Sequence, residues 1–189
     1  MPTQSAMVPL GTRAPDIRLR SFDGELVDLN DLEGSAAFLV MFLANHCPYA
    51  RHVEKALGSL INEYQAKGLA ALAVSSNDVE QDPEDGPDGM REQAERAGFS
   101  FPYLYDEDQS VAKAFGAACT PDFFLFDRNR ELVYRGQMDS SRPKSDEPAT
   151  GEDLRRALDA VLAGEPPLSE QRPSMGCGID WKPATESDQ

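Results

Sequence analysis

Leu39-Val40-Met41-Phe42-Leu43-Ala44-Asn45-His46-Cys47-Pro48-Tyr49 is the stretch on which the fold turns. Five apolar residues run into a short polar turn, and that turn delivers a cysteine just ahead of a proline and an amphipathic run. An uninterrupted apolar run of this length reads as a strand covered on both faces. Proline is tolerated at the first helical position, where the amide it lacks would be unpaired anyway, so a helix is expected to start at Pro48. Cys47 is thereby held against a helix N-terminus, whose partial positive charge and free amides favour thiolate over thiol. Two readings are open for it: a reactive thiol, or a small buried hydrophobe at a strand–helix junction.

Downstream, Val53, Leu57, Leu60, Ile61 and Tyr64 recur at helical spacing, and Lys67-Gly68 closes the run. Leu69 to Val74 is a second buried strand, which makes a strand–helix–strand crossover unit. Upstream, Asp16 to Leu29 alternates around an Asp23-Gly24 turn, the pattern of a β-hairpin. The loop Asp78 to Asp88 carries six acids, no base and two prolines, and is expected to be solvated. A helix over 87–97 stopped by Gly98 follows, then an extended piece at 101–105 and a short helix capped by Asp108 that Gly116 ends. Residues 122–126 and 131–137 form a late hairpin. The last helix is expected to have Thr150 as its cap, with Asp153 completing a carboxylate variant of the capping box. A tail beyond Gly164 holds Cys177 and Trp181, and Ile179 and Trp181 are expected to dock it. The division is therefore one domain over 1–164 and a tail over 165–189.

The whole-chain figures narrow the function. The 189 residues are enough for one well-buried core. A net charge of −15 argues against nucleic-acid and anionic-membrane partners, which are themselves negative. The longest apolar run, 36–44, is far short of the roughly 20 residues of a membrane helix. No basic, apolar export signal is visible at the N-terminus. Three cysteines without such a signal read as working thiols in a reducing, cytoplasmic setting. The two histidines, His46 and His52, and the scattered cysteines do not supply the four spaced ligands of a zinc site, so neither metal nor cofactor is expected.

Several motifs together resemble one superfamily. Gly11-Thr12-x-Ala14-Pro15-Asp16 is similar to the N-terminal signature of the redoxin branch of thioredoxin-fold proteins, the peroxiredoxins of the AhpC/TSA type and the membrane-tethered thiol reductases. Asn45-His46-Cys47-Pro48-Tyr49, Thr120-Pro121-Asp122-Phe123-Phe124, Tyr134-Arg135-Gly136-Gln137 and Pro173-Ser174-Met175-Gly176-Cys177 resemble a bacterial group of that branch with a C-terminal Gly-Cys tail. The resemblance implies an α/β thioredoxin fold: a central mixed sheet flanked by helices, an N-terminal hairpin and a C-terminal tail. It also implies a cis Thr120–Pro121 bond beside the active cysteine.

One position departs from the pattern. Where many members carry the first cysteine of Cys-x-x-Cys, this chain has Ala44. Either this branch uses a single cysteine there, or a cysteine has been replaced. Peroxiredoxins place the peroxidatic cysteine at the second position, after a threonine whose hydroxyl helps to hold the peroxide; Ala44 lacks that hydroxyl. The expected chemistry is reduction of hydroperoxides through Cys47, whose sulfenate is resolved by Cys177 or Cys119. His46 would raise the thiolate fraction, and Asn45, Thr120 and Pro121 would line the substrate side. The alternatives are monothiol exchange with mixed disulfides and a silent binding module. The partners implied are a hydroperoxide or disulfide and a thiol reductant of the thioredoxin or glutathione type.

Overall fold

The computed structural model describes residues 2–184, so the outer ends of both expected divisions, residue 1 and residues 185–189, lie outside the description. In chain order the elements are β1 (Thr3–Gln4), β2 (Arg18–Ser21), β3 (Leu26–Asp28), β4 (Ala37–Phe42), α1 (Pro48–Gln65), β5 (Leu69–Ser75), α2 (Pro87–Ala97) and β6 (Tyr103–Tyr105). Then come α3 (Ser110–Phe115), β7 (Cys119–Thr120), β8 (Asp122–Asp127), β9 (Leu132–Gly136), α4 (Glu152–Leu162) and β10 (Met175–Gly178). Short 3-10 helices cover Leu29–Leu32 and Pro83–Asp85.

The main sheet has seven strands in the order β3-β2-β6-β5-β4-β8-β9. β4 pairs in parallel with β5 and antiparallel with β8, so the sheet is mixed and β4 lies within it. Alternation along β4 divides the core. Leu39 and Met41 face a cluster with Val53, Leu57, Leu60 and Ile61 of α1 and Leu154 and Leu158 of α4. Phe38, Val40 and Phe42 face another with Val111 and Phe115 of α3. Each fully buried Leu or Ile contributes roughly 1.5–3 kcal/mol, which is why a strand buried on both faces reads as one apolar run.

A second, three-stranded antiparallel ribbon, β1-β10-β7, lies apart from the main sheet. It places Cys177 opposite Thr120 and ties Thr3–Gln4 and Met175–Gly178 to the segment ahead of β8. The approach is close. A Cβ at Gly176 would lie 1.9 Å from the Thr120 carbonyl oxygen, so the glycine beside Cys177 serves contact as well as freedom.

Four local expectations need correction. The 78–88 loop is not simply solvated, since Asp85 is fully buried and Asp78 is 3% exposed. The last helix is capped by Gly151 in the left-handed conformation, and Asp153 instead accepts from Gln137 Nε2 at 2.6 Å. The turn before α3 uses Gln109 at φ 65° as the cap residue, although the Asp108 carboxylate still accepts the Ser110 amide. In the tail, Ile179 enters the core, but Trp181 is 39% exposed, so Ile179 is the anchor. Among the described residues no helix is long and apolar enough to cross a membrane.

Candidate active site around Cys47 and Cys177

Cys47 is the N-cap residue of α1, with Pro48 in the first turn, as the local sequence dictates. Its side chain is sealed from solvent, and its Sγ donates to the Thr120 carbonyl at 3.2 Å. Ala44 and Ala50 pack against it, and so does Cys177. The structure thus brings Cys47, Thr120, Pro121 and Cys177 together at the junction of α1 with the three-stranded ribbon. The Thr120–Pro121 bond is cis. The Thr120 hydroxyl, buried at 3% exposure, has no hydrogen-bond partner among the described residues.

The two other thiols differ. Cys177 is half-buried and touches Cys47; burial and the Cys47 sulfur push its thiol up to about 12. Cys119 is fully buried, donates only to the Pro121 carbonyl at 3.8 Å, and is pushed up by burial and by the neighbouring Asp122 carboxylate. Asp122 is itself raised to about 7 by burial, against hydrogen bonds from the Ser5 hydroxyl and the Ala118 amide.

The turn preceding Cys47 is held from several sides. The Asn45 carbonyl accepts from Arg51 Nε at 2.5 Å, and its side-chain oxygen accepts from Arg96 at 2.7 Å. Arg96 in turn makes a two-pronged pair with the buried Glu54 of α1. Such bidentate, charge-assisted contacts fix geometry as well as adding energy. Asn45 therefore braces the turn. The guanidinium groups of Arg135 and Arg142 are engaged with the Val8 carbonyl and the Gln137 side chain respectively. His52 bonds Ser141 at 2.9 Å.

His46 meets the acid-rich loop. Its backbone amide donates to Asp85 Oδ1 at 2.9 Å, and its ring Nδ1 bonds Asp85 Oδ2. That ring bond, against burial, raises His46 to about 9. Burial pushes Asp85 up, but the bonds from His46 and Asn77 outweigh it and hold the carboxyl below its ordinary value. Asp82 is raised to about 7 by burial and by Asp180. None of Asp82, Asp85 or Asp180 was legible as a site residue. The available signal was an acid-rich loop without a base, in a chain with only two histidines.

The AhpC/TSA family profile matches residues 10–135, more than half of the chain. The chain belongs to the AhpC/TSA family. Among solved structures, an uncharacterized conserved protein from Geobacillus kaustophilus is 51% identical to this AhpC/TSA-family chain, with a TM-score of 0.95 over 98% of both chains. A hypothetical protein, SMc02350 from Sinorhizobium meliloti 1021, is 46% identical, with a TM-score of 0.94 over 96% of this chain and all of its own. The thiol-disulfide oxidoreductase ResA of Geobacillus thermodenitrificans is 27% identical over 84% of this chain and 82% of its own length. The ResA of Halalkalibacterium halodurans is 28% identical, with 65% of its length matched. Peroxidoxin BcpB from Mycobacterium tuberculosis, at 19% identity and a TM-score of 0.61, shares the fold.

Proposed function

We propose that this chain is a thiol–disulfide oxidoreductase whose working pair is Cys47 and Cys177. The observation that carries the reading is the packing of Cys177 against Cys47 across the ribbon. Ala44 stands where the usual motif has its first cysteine, and Cys177 supplies a second thiol from the tail. In the forward step the Cys47 thiolate attacks a target disulfide, one target sulfur leaves as thiolate, and a mixed disulfide forms. Cys177 then loses its proton and displaces the second target sulfur, leaving a Cys47–Cys177 disulfide and two target thiols. A dithiol reductant of the thioredoxin type, or two glutathione-type thiols, returns the pair to the reduced state. Thr120, Pro121 and Asn45 frame the approach, His46 adjoins the nucleophile, and Cys119 is left without a step. The ResA relatives support disulfides as the substrate class. The reading keeps the cytoplasmic setting and the division into a 1–164 domain and a tail expected from the sequence.

Family membership favours a second reading with the same pair: Cys47 attacks a hydroperoxide, an alcohol or water leaves, and Cys177 condenses with the sulfenate to release water. Parallel oxidations with one equivalent of glutathione disulfide and of hydrogen peroxide, followed by peptide mass mapping, separate the two. Rapid formation of a Cys47–Cys177 bond from the disulfide supports exchange, and preferential reaction with peroxide supports the second reading. A Cys47–Cys119 bond or three untouched thiols would overturn both, the latter result pointing to a silent binding fold.

A further inference from the structure

Beside the thiol pair, three segments far apart in sequence converge: the turn before α1, the acid-rich loop, and the tail just after β10. Each contributes one metal-binding side chain, His46, Asp82 and Asp180, with ligand atoms all within 4.8 Å of one another. We propose that these three residues form a binding site for one divalent first-row metal ion.

The histidine is already oriented. Its Nδ1 is engaged by Asp85, whose carboxylate is fully buried and held in turn by Asn77 Nδ2 at 2.9 Å and by the His46 amide. A carboxylate behind an imidazole fixes the ring and strengthens its outer nitrogen as a donor. That outer nitrogen, Nε2, lies 3.8 Å from Asp82 Oδ1, too far for a hydrogen bond. Two atoms bound at about 2.1 Å to one tetrahedral ion are about 3.4 Å apart, so a modest contraction would bring the pair onto a metal.

A second observation concerns the Asp82 carboxylate, which faces the His46 ring on one oxygen. Among the described residues no donor reaches Asp82 Oδ2, an oxygen out of solvent, and an orphaned buried acceptor calls for an explanation. Asp82, Asp85 and Asp180 crowd around one imidazole, while no lysine or arginine forms an ion pair with Asp82 or Asp180 among the described residues. Asp180 is also built in. Its amide donates to Asn77 Oδ1 at 2.9 Å, and its carbonyl accepts from the Asp78 amide at 2.9 Å and from Gln109 Nε2 at 3.0 Å. The Asp180 carboxyl meets Asp82 within hydrogen-bond reach, while its backbone is pinned.

One imidazole and two carboxylates suit Zn²⁺, Mn²⁺, Fe²⁺ or Co²⁺, and leave positions for water. The site needs neither thiol, so it stands or falls separately from the exchange chemistry. Co²⁺ is the useful probe, because thiolate ligation adds an intense charge-transfer band that nitrogen and oxygen ligands do not. The fully reduced wild-type protein is expected to take up one Co²⁺ without that band. Asp180→Asn and Asp82→Asn should each weaken uptake by about tenfold or more, on the scale known for losing a ligand or its support. The double variant Cys47→Ser/Cys177→Ser should bind as the wild type does. Circular dichroism of Asp180→Asn guards against simple unfolding, since its backbone contacts do not use the carboxylate. Absence of saturable uptake by the wild type, unchanged affinity in a folded Asp180→Asn protein, or a charge-transfer band that disappears with the thiols would overturn the site.

Discussion

Cys119 and Cys177 flank the same threonine across two paired strands, yet their surroundings give them opposite prospects. Cys119 lies on β7, sealed, with a buried carboxylate for a neighbour and the Pro121 carbonyl as its acceptor. Cys177 lies on β10, half-buried and in contact with Cys47. Sequence distance is misleading here, because Cys177 is the more remote of the two from Cys47 along the chain. Placement by the ribbon, and not proximity in sequence, puts Cys177 and not Cys119 against Cys47 as the proposed redox partner.

The strongest attempt to break this contrast is removal of Cys47, the proposed nucleophile. Cys47→Ser should reduce disulfide exchange to background in a coupled reductase assay, whichever partner thiol works. Cys177→Ser should abolish multiple turnover while one equivalent of mixed disulfide accumulates on Cys47, detectable as an added mass on that peptide. If Cys119 were the partner, turnover would survive. Gly176→Ala attacks the placement itself. Its Cβ would sit 1.9 Å from the Thr120 carbonyl oxygen and 3.3 Å from the Pro121 nitrogen, so β10 must shift off β7. The expected cost is about 1–3 kcal/mol in urea unfolding, the usual penalty of overpacking, together with faster alkylation of Cys47.

A pH effect sharpens the Cys119 side. Asp122 is raised from 3.8 to about 7 by burial, so between those values the folded chain holds a proton that the unfolded chain has lost. Its contribution to stability is therefore present at acid pH and declines as pH rises toward 7, by at most roughly 1.4 kcal/mol per unit. Urea midpoints measured across that range should show this component of the slope, and Asp122→Asn should lack it. The smallest effect is expected for Cys119→Ala: about 1 kcal/mol of stability and no change in exchange rate.

Much of this architecture was legible because its signals are local. The apolar run at 39–43, the proline after Cys47 and the 3.6-residue stripe through Tyr64 each depend only on near neighbours, and β4, α1 and β5 follow. Gly98 closes α2 in the left-handed conformation expected of a terminal glycine. What escaped was long-range. Asp85 reads as one acid among six until His46, 39 residues away, is found bonded to it. Gly151 displaced Thr150 as the α4 cap because the Asp139 carboxylate accepts its amide, and Asp153 was drawn to Gln137 instead. Cys47 and Cys177 were both nameable as thiols, but their contact depends on a strand pairing that no local pattern encodes.

That pairing extends to Thr3 and Gln4. β10 is held on its far side by β1, with Thr3 opposite Gly176 and Gln4 opposite Met175, and the Ser5 hydroxyl bridges the Ser174 amide and Asp122. The opening residues thus act as a clasp on the tail cysteine. Trimming them, or fusing a bulky partner there, should behave as a redox mutation and loosen Cys177 from Cys47 without altering a single residue of the active site.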